Sequence, residues 1–334
     1  MTLQLFQYDP VFGYRFIPGL KTRLLHESGG YLVRVNEAGF RCDHEFDTRK
    51  PPGVFRILLF GDSFTAGDGV SNGARYGDVL ERALPGVEVY NFGLPGSGTD
   101  QQLLIFREYA KKIEHDLVIV GILVENVRRI AARYRIVHQA NGSERVAAKP
   151  YFTLDSGALT LHHAPVPREL KTLESLPEAE RRWVDVGGPK PRLRGIVKAL
   201  GPRVKAMVQR ITRYQPVPAF SRPDHPDWLL MRAILEQWIS ESETPVILVP
   251  IPLYQFIEET ADARPYQARF AELSAVSGVH VHDPLADFHA LPPGSARRAM
   301  RFPTDVHLTP AAHELLGRSL ARAVRRYMSV GAAA

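Results

Sequence analysis

A chain of 334 residues can bury a sizeable core, and this length suits one large α/β domain carrying insertions at least as well as two small domains. Its 45% hydrophobic and 23% charged residues exclude a disordered or fibrous chain. The formal charge of +6 falls largely on basic residues between Arg168 and Arg213 that are mixed with Glu174, Glu178, Glu180 and Asp185; without zinc-finger spacing or an RNA-binding aromatic pattern, they read as a solvated face and no nucleic-acid partner is expected.

In chain order, Met1-Thr2-Leu3-Gln4-Leu5-Phe6 has no basic segment leading into an apolar stretch and cleavage site, so no secretory signal is expected. No apolar run has the length of a bilayer span, and the single Cys42 suits a reducing compartment, so the expected location is cytoplasmic. Residues 1–54 scatter turn formers (Asp9-Pro10, Pro18-Gly19, Gly29-Gly30, Pro51-Pro52-Gly53) around the alternating stretch Tyr31-Leu32-Val33-Arg34-Val35. They predict an N-terminal leader of loops and a short hairpin packed on the main domain.

From residue 55 to about 330 the pattern is that of one larger domain. Short apolar runs bounded by turn formers predict buried strands over 55–60, 87–90, 116–122, 245–249 and 279–282. Apolar residues at intervals of three and four predict helices over 77–83, 100–113, 227–240, 264–275 and 310–328. This alternation implies an α/β fold, a five-stranded parallel sheet between helical layers, with ligands bound beyond the carboxyl ends of the strands. It breaks over about 133–224, where only 197–211 has helical spacing; that insertion is expected to act as a cap over the sheet edge.

Two segments carry the chemistry. The first strand runs into Gly61-Asp62-Ser63-Phe64-Thr65, which sets a serine at a strand's carboxyl end. There the backbone N–H groups of a following helix give it a partly positive surrounding. A serine hydroxyl is a poor nucleophile until a base takes its proton. Far along the chain, Phe302-Pro303-Thr304-Asp305-Val306-His307-Leu308-Thr309-Pro310 supplies one. Thr309-Pro310 reads as an N-cap and first-turn pair, so Asp305 and His307 lie on the loop leading into the last helix, and with one residue between them they can point the same way. Ser63, His307 and Asp305 thus have the roles of nucleophile, base and orienting acid. Asp62, next to the serine, is expected to support the turn.

These two segments resemble the first and last motif blocks of the SGNH, or GDSL-like, hydrolase superfamily. The resemblance covers roughly residues 54–128 and 245–328 and implies a three-layer α/β/α, flavodoxin-like fold. By the same resemblance Asn91-Phe92-Gly93-Leu94-Pro95-Gly96-Ser97-Gly98 is the second block, with the Gly96 backbone N–H as an oxyanion donor. Val124-Glu125-Asn126-Val127 stands where the family has Gly-x-Asn-Asp: Asn126 matches the asparagine whose amide is another oxyanion donor, while the usual flanking Gly and Asp are absent. Ser63 itself, Gly96 and Asn126 would form the oxyanion hole. The leader and long insertion look like those of bacterial members acting on acylated carbohydrates. The implied activity is hydrolysis of an ester, an O-acyl or O-acetyl group on a small molecule or glycan, through an acyl-enzyme. Acyl transfer to a sugar hydroxyl and a glycan-binding module without chemistry are the alternatives.

Each residue also has a plainer reading. Gly61-Asp62-Ser63 could be a strand-ending turn and Asn126 a turn residue; the order of four required types, each at a strand end or helix start, favours the site. Glu125 is either a substrate contact or a solvated carboxylate. Tyr254, after the fourth strand, is either a wall of the acyl or sugar pocket or an ordinary loop aromatic. His162, His163, His280 and His282 lack a carboxylate or cysteine at ligand spacing, so neither metal nor cofactor is expected.

Overall fold

The computed structural model describes residues 4–139, 141–185 and 214–331. Five strands form its centre: β1 (Phe55–Gly61), β2 (Val87–Asn91), β3 (Leu117–Leu123), β4 (Val246–Ile251) and β5 (Val279–Val281), all paired in parallel in the order β2-β1-β3-β4-β5. Every residue of β3 and β4 is buried, which is why these strands read as continuous apolar runs rather than alternating ones. The four crossovers carry α1 (Tyr76–Ala83), α2 (Thr99–Tyr109), α3 (Pro226–Glu241) and α4 (Arg264–Leu273), and α5 (Pro310–Gly331) follows β5. Helix α1 packs on α5, and α3 on both α2 and α4. The fold is therefore the parallel sheet between helical layers that the alternation implied, in the α/β/α, flavodoxin-like form that the resemblance implied. Among the described residues, no helix is long and apolar enough to cross a membrane.

Two elements end elsewhere than expected, and the second has a physical reason. The helix expected over 100–113 ends at Tyr109 and continues as a 3₁₀ turn, Ala110–Lys112. Strand β4 continues through Pro250 to Ile251, beyond the expected stop at Val249. The Val246 N–H bonds to Gly278 O on the β5 side, so by the two-residue repeat position 250 faces that side too. Strand β5 pairs only as far as Leu248, so the missing proline N–H forfeits no ladder bond.

The leader forms two antiparallel hairpins, Phe6–Asp9 with Gly13–Phe16 and Lys21–Leu24 with Tyr31–Arg34. Phe12, Phe16 and Phe40 are buried in the main core, and the Phe40 ring lies 5.1 Å from Phe92, itself stacked on Phe60 of β1 at 4.9 Å. Each such ring contributes roughly 1.5–3 kcal/mol on burial. Within the insertion, Leu170–Lys171, Glu144–Ala148, Tyr134–His138 and Val184–Asp185 form a four-stranded sheet in that order, and Tyr151–Asp155 pairs with Ala158–His162. The helix expected over 197–211 lies outside the described residues.

Candidate active site

At the carboxyl end of β1 the two central strands meet through glycine, Gly61 beside Gly121, leaving room for the chain to turn. Asp62 begins a one-turn helix, Ser63–Ala66, and its Oδ1 accepts the Phe64 N–H at 3.0 Å. Asp62 is wholly buried and Ser63 is 6% exposed. The loop after β2 is tied to this turn: Leu94 N donates to Gly61 O at 3.0 Å, and Asn91 Nδ2 donates to Thr65 O at 3.0 Å. Gly93 passes so close that a Cβ there would sit 2.8 Å from the Thr65 carbonyl carbon. Gly96 has φ +78°, a left-handed conformation that glycine adopts without strain.

The segment before α5 brings the histidine to the serine. His307 Nε2 lies 2.8 Å from Ser63 Oγ, and His307 Nδ1 lies 2.5 Å from Asp305 Oδ1, which also accepts the His307 backbone N–H at 3.0 Å. With the carboxylate accepting at Nδ1, the imidazole proton is placed there and Nε2 is free to accept from the serine hydroxyl. Burial works to lower the His307 pKa, but Asp305, Asp68 and Asp62 outweigh it and the net shift is upward. Asp305 is held well below the usual carboxylate range, its partial burial being overcome by its bonds to His307 and His26. Thr309 spends its hydroxyl on Ala299 O at 2.8 Å.

The loop is propped by the leader. His26 Nε2 lies 3.3 Å from Asp305 Oδ2, and His26 Nδ1 accepts the Ser28 N–H, which leaves the Nε2 proton for the carboxylate. Glu27 Oε1 accepts the backbone N–H groups of Thr304 and Asp305 at 3.1 and 2.7 Å. These contacts have no sequence signal, since the partners are 277 to 279 positions apart.

Asn126 opens the short helix Asn126–Arg129 after β3 and is wholly buried. Its Oδ1 accepts from Arg129 Nη1 at 2.8 Å, and the same nitrogen donates to Asp62 Oδ2 at 2.7 Å. Asn126 Nδ2 is buried with no hydrogen-bond partner, an unspent donor one step from the serine turn. Asp62 thus supports the turn through both of its oxygens.

A cleft of about 440 Å³ opens over the serine and histidine. Glu125 and Tyr254 both line it; Gly96 and Asn126 do not. Glu125 pairs with Arg128 at 2.7 Å, and Arg301 lies 4.4 Å over the Tyr254 ring. Of the described insertion, Tyr214 and Pro216 reach the cleft. His162 stacks on Tyr151, His163 bonds to Lys149 O, His282 bonds to Ser319 Oγ, and the His280 ring lies beside that of His282. Among the described residues, no group of three or more His, Cys, Asp or Glu is placed to hold a metal ion.

A buried hydroxyl on an imidazole that is itself fixed by a carboxylate, with the unpartnered amide nitrogen of Asn126 at the end of the neighbouring strand, is an arrangement competent for acyl transfer. The model of the GDSL-like lipase/acylhydrolase family matches residues 59–315. No curated protein matches the chain. Solved structures similar to it include a member of the lipolytic G-D-S-L family from Veillonella parvula, 13% identical over 82% of this chain and 100% of that one, with a TM-score of 0.42. The lipase Lip_vut3 from a goat rumen metagenome is 12% identical over 81% and 97%, with a TM-score of 0.43. The lipase/acylhydrolase from Enterococcus faecalis is 15% identical over 81% and 95%, with a TM-score of 0.39.

Proposed function

Because the chain belongs to the GDSL-like lipase/acylhydrolase family and is a serine ester hydrolase, we propose that Ser63 is its nucleophile, His307 its general base and Asp305 the acid that orients the histidine. The observation that carries this reading is the Ser63 Oγ to His307 Nε2 contact at 2.8 Å, continued through His307 Nδ1 to Asp305 at 2.5 Å. Ser63 Oγ attacks the ester carbonyl carbon while His307 Nε2 takes its proton. The carbonyl oxygen becomes an alkoxide, met by the backbone N–H groups of Ser63 and Gly96 and by Asn126 Nδ2. The intermediate collapses, the C–O bond to the alcohol breaks, and His307 returns the proton to the leaving oxygen. Water then repeats the sequence on the acyl-serine, releasing the acid.

The proposed substrate is an O-acyl, and first an O-acetyl, carbohydrate. Glu125, Gln255, Arg128 and Arg301 can bond sugar hydroxyls, while Leu253, Met300, Val306 and the Tyr254 ring suit an acyl chain. The insertion is assigned the part of a cap, with Tyr214 and Pro216 as its cleft-facing residues. A panel of acyl esters differing in chain length and leaving group, run on wild type and Ser63→Ala with and without sugar acceptors, tests this. Fastest turnover of acetylated sugars, lost in Ser63→Ala, is the expected result. An acylated acceptor accumulating in place of free acid would make the enzyme a transferase, and turnover that survives Ser63→Ala would overturn the assignment.

A further inference from the structure

An amide whose carbonyl oxygen accepts a strong hydrogen bond is fixed in orientation and made a better N–H donor, because the polarisation passes through the conjugated O–C–N unit. Both amides assigned above to the oxyanion hole are gripped in this way. Asn126 Oδ1 accepts from Arg129 Nη1 at 2.8 Å, leaving Nδ2 as the unspent end of that amide. The Pro95 carbonyl belongs to the same peptide unit as the Gly96 N–H, and it accepts from the Tyr14 hydroxyl at 2.6 Å.

Both donors are themselves well held. Arg129 Nη1 also bonds Asp62 Oδ2 at 2.7 Å, so one guanidinium nitrogen ties the asparagine to the residue before the serine. Burial opposes the Arg129 charge, but Asp62 and Asp185 outweigh it and the guanidinium pKa rises. Tyr14 is buried, which pushes its phenol pKa up and keeps the hydroxyl a donor. The Arg135 guanidinium lies 3.5 Å over the Tyr14 ring, fixing that ring from the insertion side. An N-terminal hairpin and the first residues after β3 thus reach the back of the same small site.

We propose that Arg129 and Tyr14 are positioning residues of the oxyanion hole, each aiming and polarising one amide donor through its carbonyl oxygen. The inference rests on the assignment of Gly96 and Asn126 as the donors. It predicts a cost in transition-state binding without a matching cost in the binding of a small acetyl ester: Tyr14 does not line the cleft, and Arg129, which does, spends Nη1 on Asn126 and Asp62.

The test is steady-state turnover of 4-nitrophenyl acetate and the affinity of phenylboronic acid, which forms a tetrahedral adduct on an active-site serine. It uses Arg129→Gln, Arg129→Lys, Tyr14→Phe, Asn126→Ala and the double variant Asn126→Ala/Arg129→Gln. Removing an oxyanion donor outright costs about 10²–10³-fold in kcat, so losing its anchor should cost roughly 10–100-fold in Arg129→Gln and roughly 3–10-fold in Tyr14→Phe, with KM within about twofold. Boronate affinity should fall by similar factors, and Arg129→Lys should recover part of the loss. In the Asn126→Ala background, Arg129→Gln should cost little more. Tyr14→Phe keeps the buried ring and is the variant to rely on if Arg129→Gln fails to fold. Unchanged kcat and boronate affinity in Tyr14→Phe and Arg129→Lys/Gln, or a full Arg129 effect in the absence of Asn126, would overturn the proposal. Wild-type kcat in Asn126→Ala would instead refute the donor assignment, and the inference with it.

Discussion

The two halves of the site are held in different ways. Asp62 and Asn126 are wholly buried and Ser63 is 6% exposed; they hang from β1 and β3 at the centre of the sheet. Asp305 and His307 sit on a loop with side chains 31% and 20% exposed, and Val306 between them is 51% exposed. That loop takes its position from the leader, through His26 and Glu27, and from one bridge between Arg301 and Leu308. The half that holds Ser63 inherits its geometry from the core, whereas the half that holds His307 depends on a few long-range hydrogen bonds. Segments with few buried contacts open more readily than the core that carries them, so activity is most easily lost in the His307 half with the fold intact.

The largest expected effect comes from the core side. Ser63→Ala should lower kcat for an activated ester by roughly 10⁴-fold or more, with an unchanged melting temperature, because a small exchange at a strand end removes the attacking atom and little packing. A smaller loss would mean that the buried half does not carry the chemistry. Asp305→Asn should cost roughly 10³–10⁴-fold, since the amide cannot hold the imidazole in the accepting tautomer. Wild-type turnover in that variant would remove the acid from the account.

His26→Ala sharpens the comparison, for it leaves every group of the nucleophile half in place. Loss of one brace on the loop should lower kcat roughly 3–10-fold, with KM and melting temperature close to wild type. A large fall in stability instead would show that the leader is mainly a structural element.

The smallest expected effect concerns pH. In its proposed role His307 must be neutral to accept the serine proton, and its pKa is raised, so the acid limb of kcat/KM should have its midpoint above 6.5. Asp68→Asn removes one of the carboxylates behind that rise and should move the limb to lower pH, leaving the variant about twofold more active than wild type near pH 6 in relative terms. The sign for stability is opposite. The His307 contribution is complete below the unfolded value of about 6.5 and fades as pH rises through the higher folded value, the range in which activity appears.

The sheet was legible because β3 and β4 are buried along their whole length and so are written as unbroken apolar runs, and β1 reads the same way apart from the buried Arg56. Ser63, Asp305 and His307 were legible because each lies at a strand end or on a loop leading into a helix, where sequence and topology coincide. The strands of 134–185 were not, since Tyr134–His138 has no fully buried residue and two of the four strands of its sheet are only two residues long. Nor were His26, Glu27 and Tyr14, whose partners lie 81 to 279 positions away. Arg129 stands three residues after Asn126, a spacing common to any helix, and only the buried pairing with Asp62 marks it out.

In the proposed mechanism one hydroxyl, activated by one imidazole, does the chemistry. Labelling with a fluorophosphonate followed by peptide mapping tests it most directly. Modification at Ser63, at a rate that collapses in His307→Ala, is the expected result. A label on another residue, or ester turnover that continues in protein fully modified at Ser63, would contradict it.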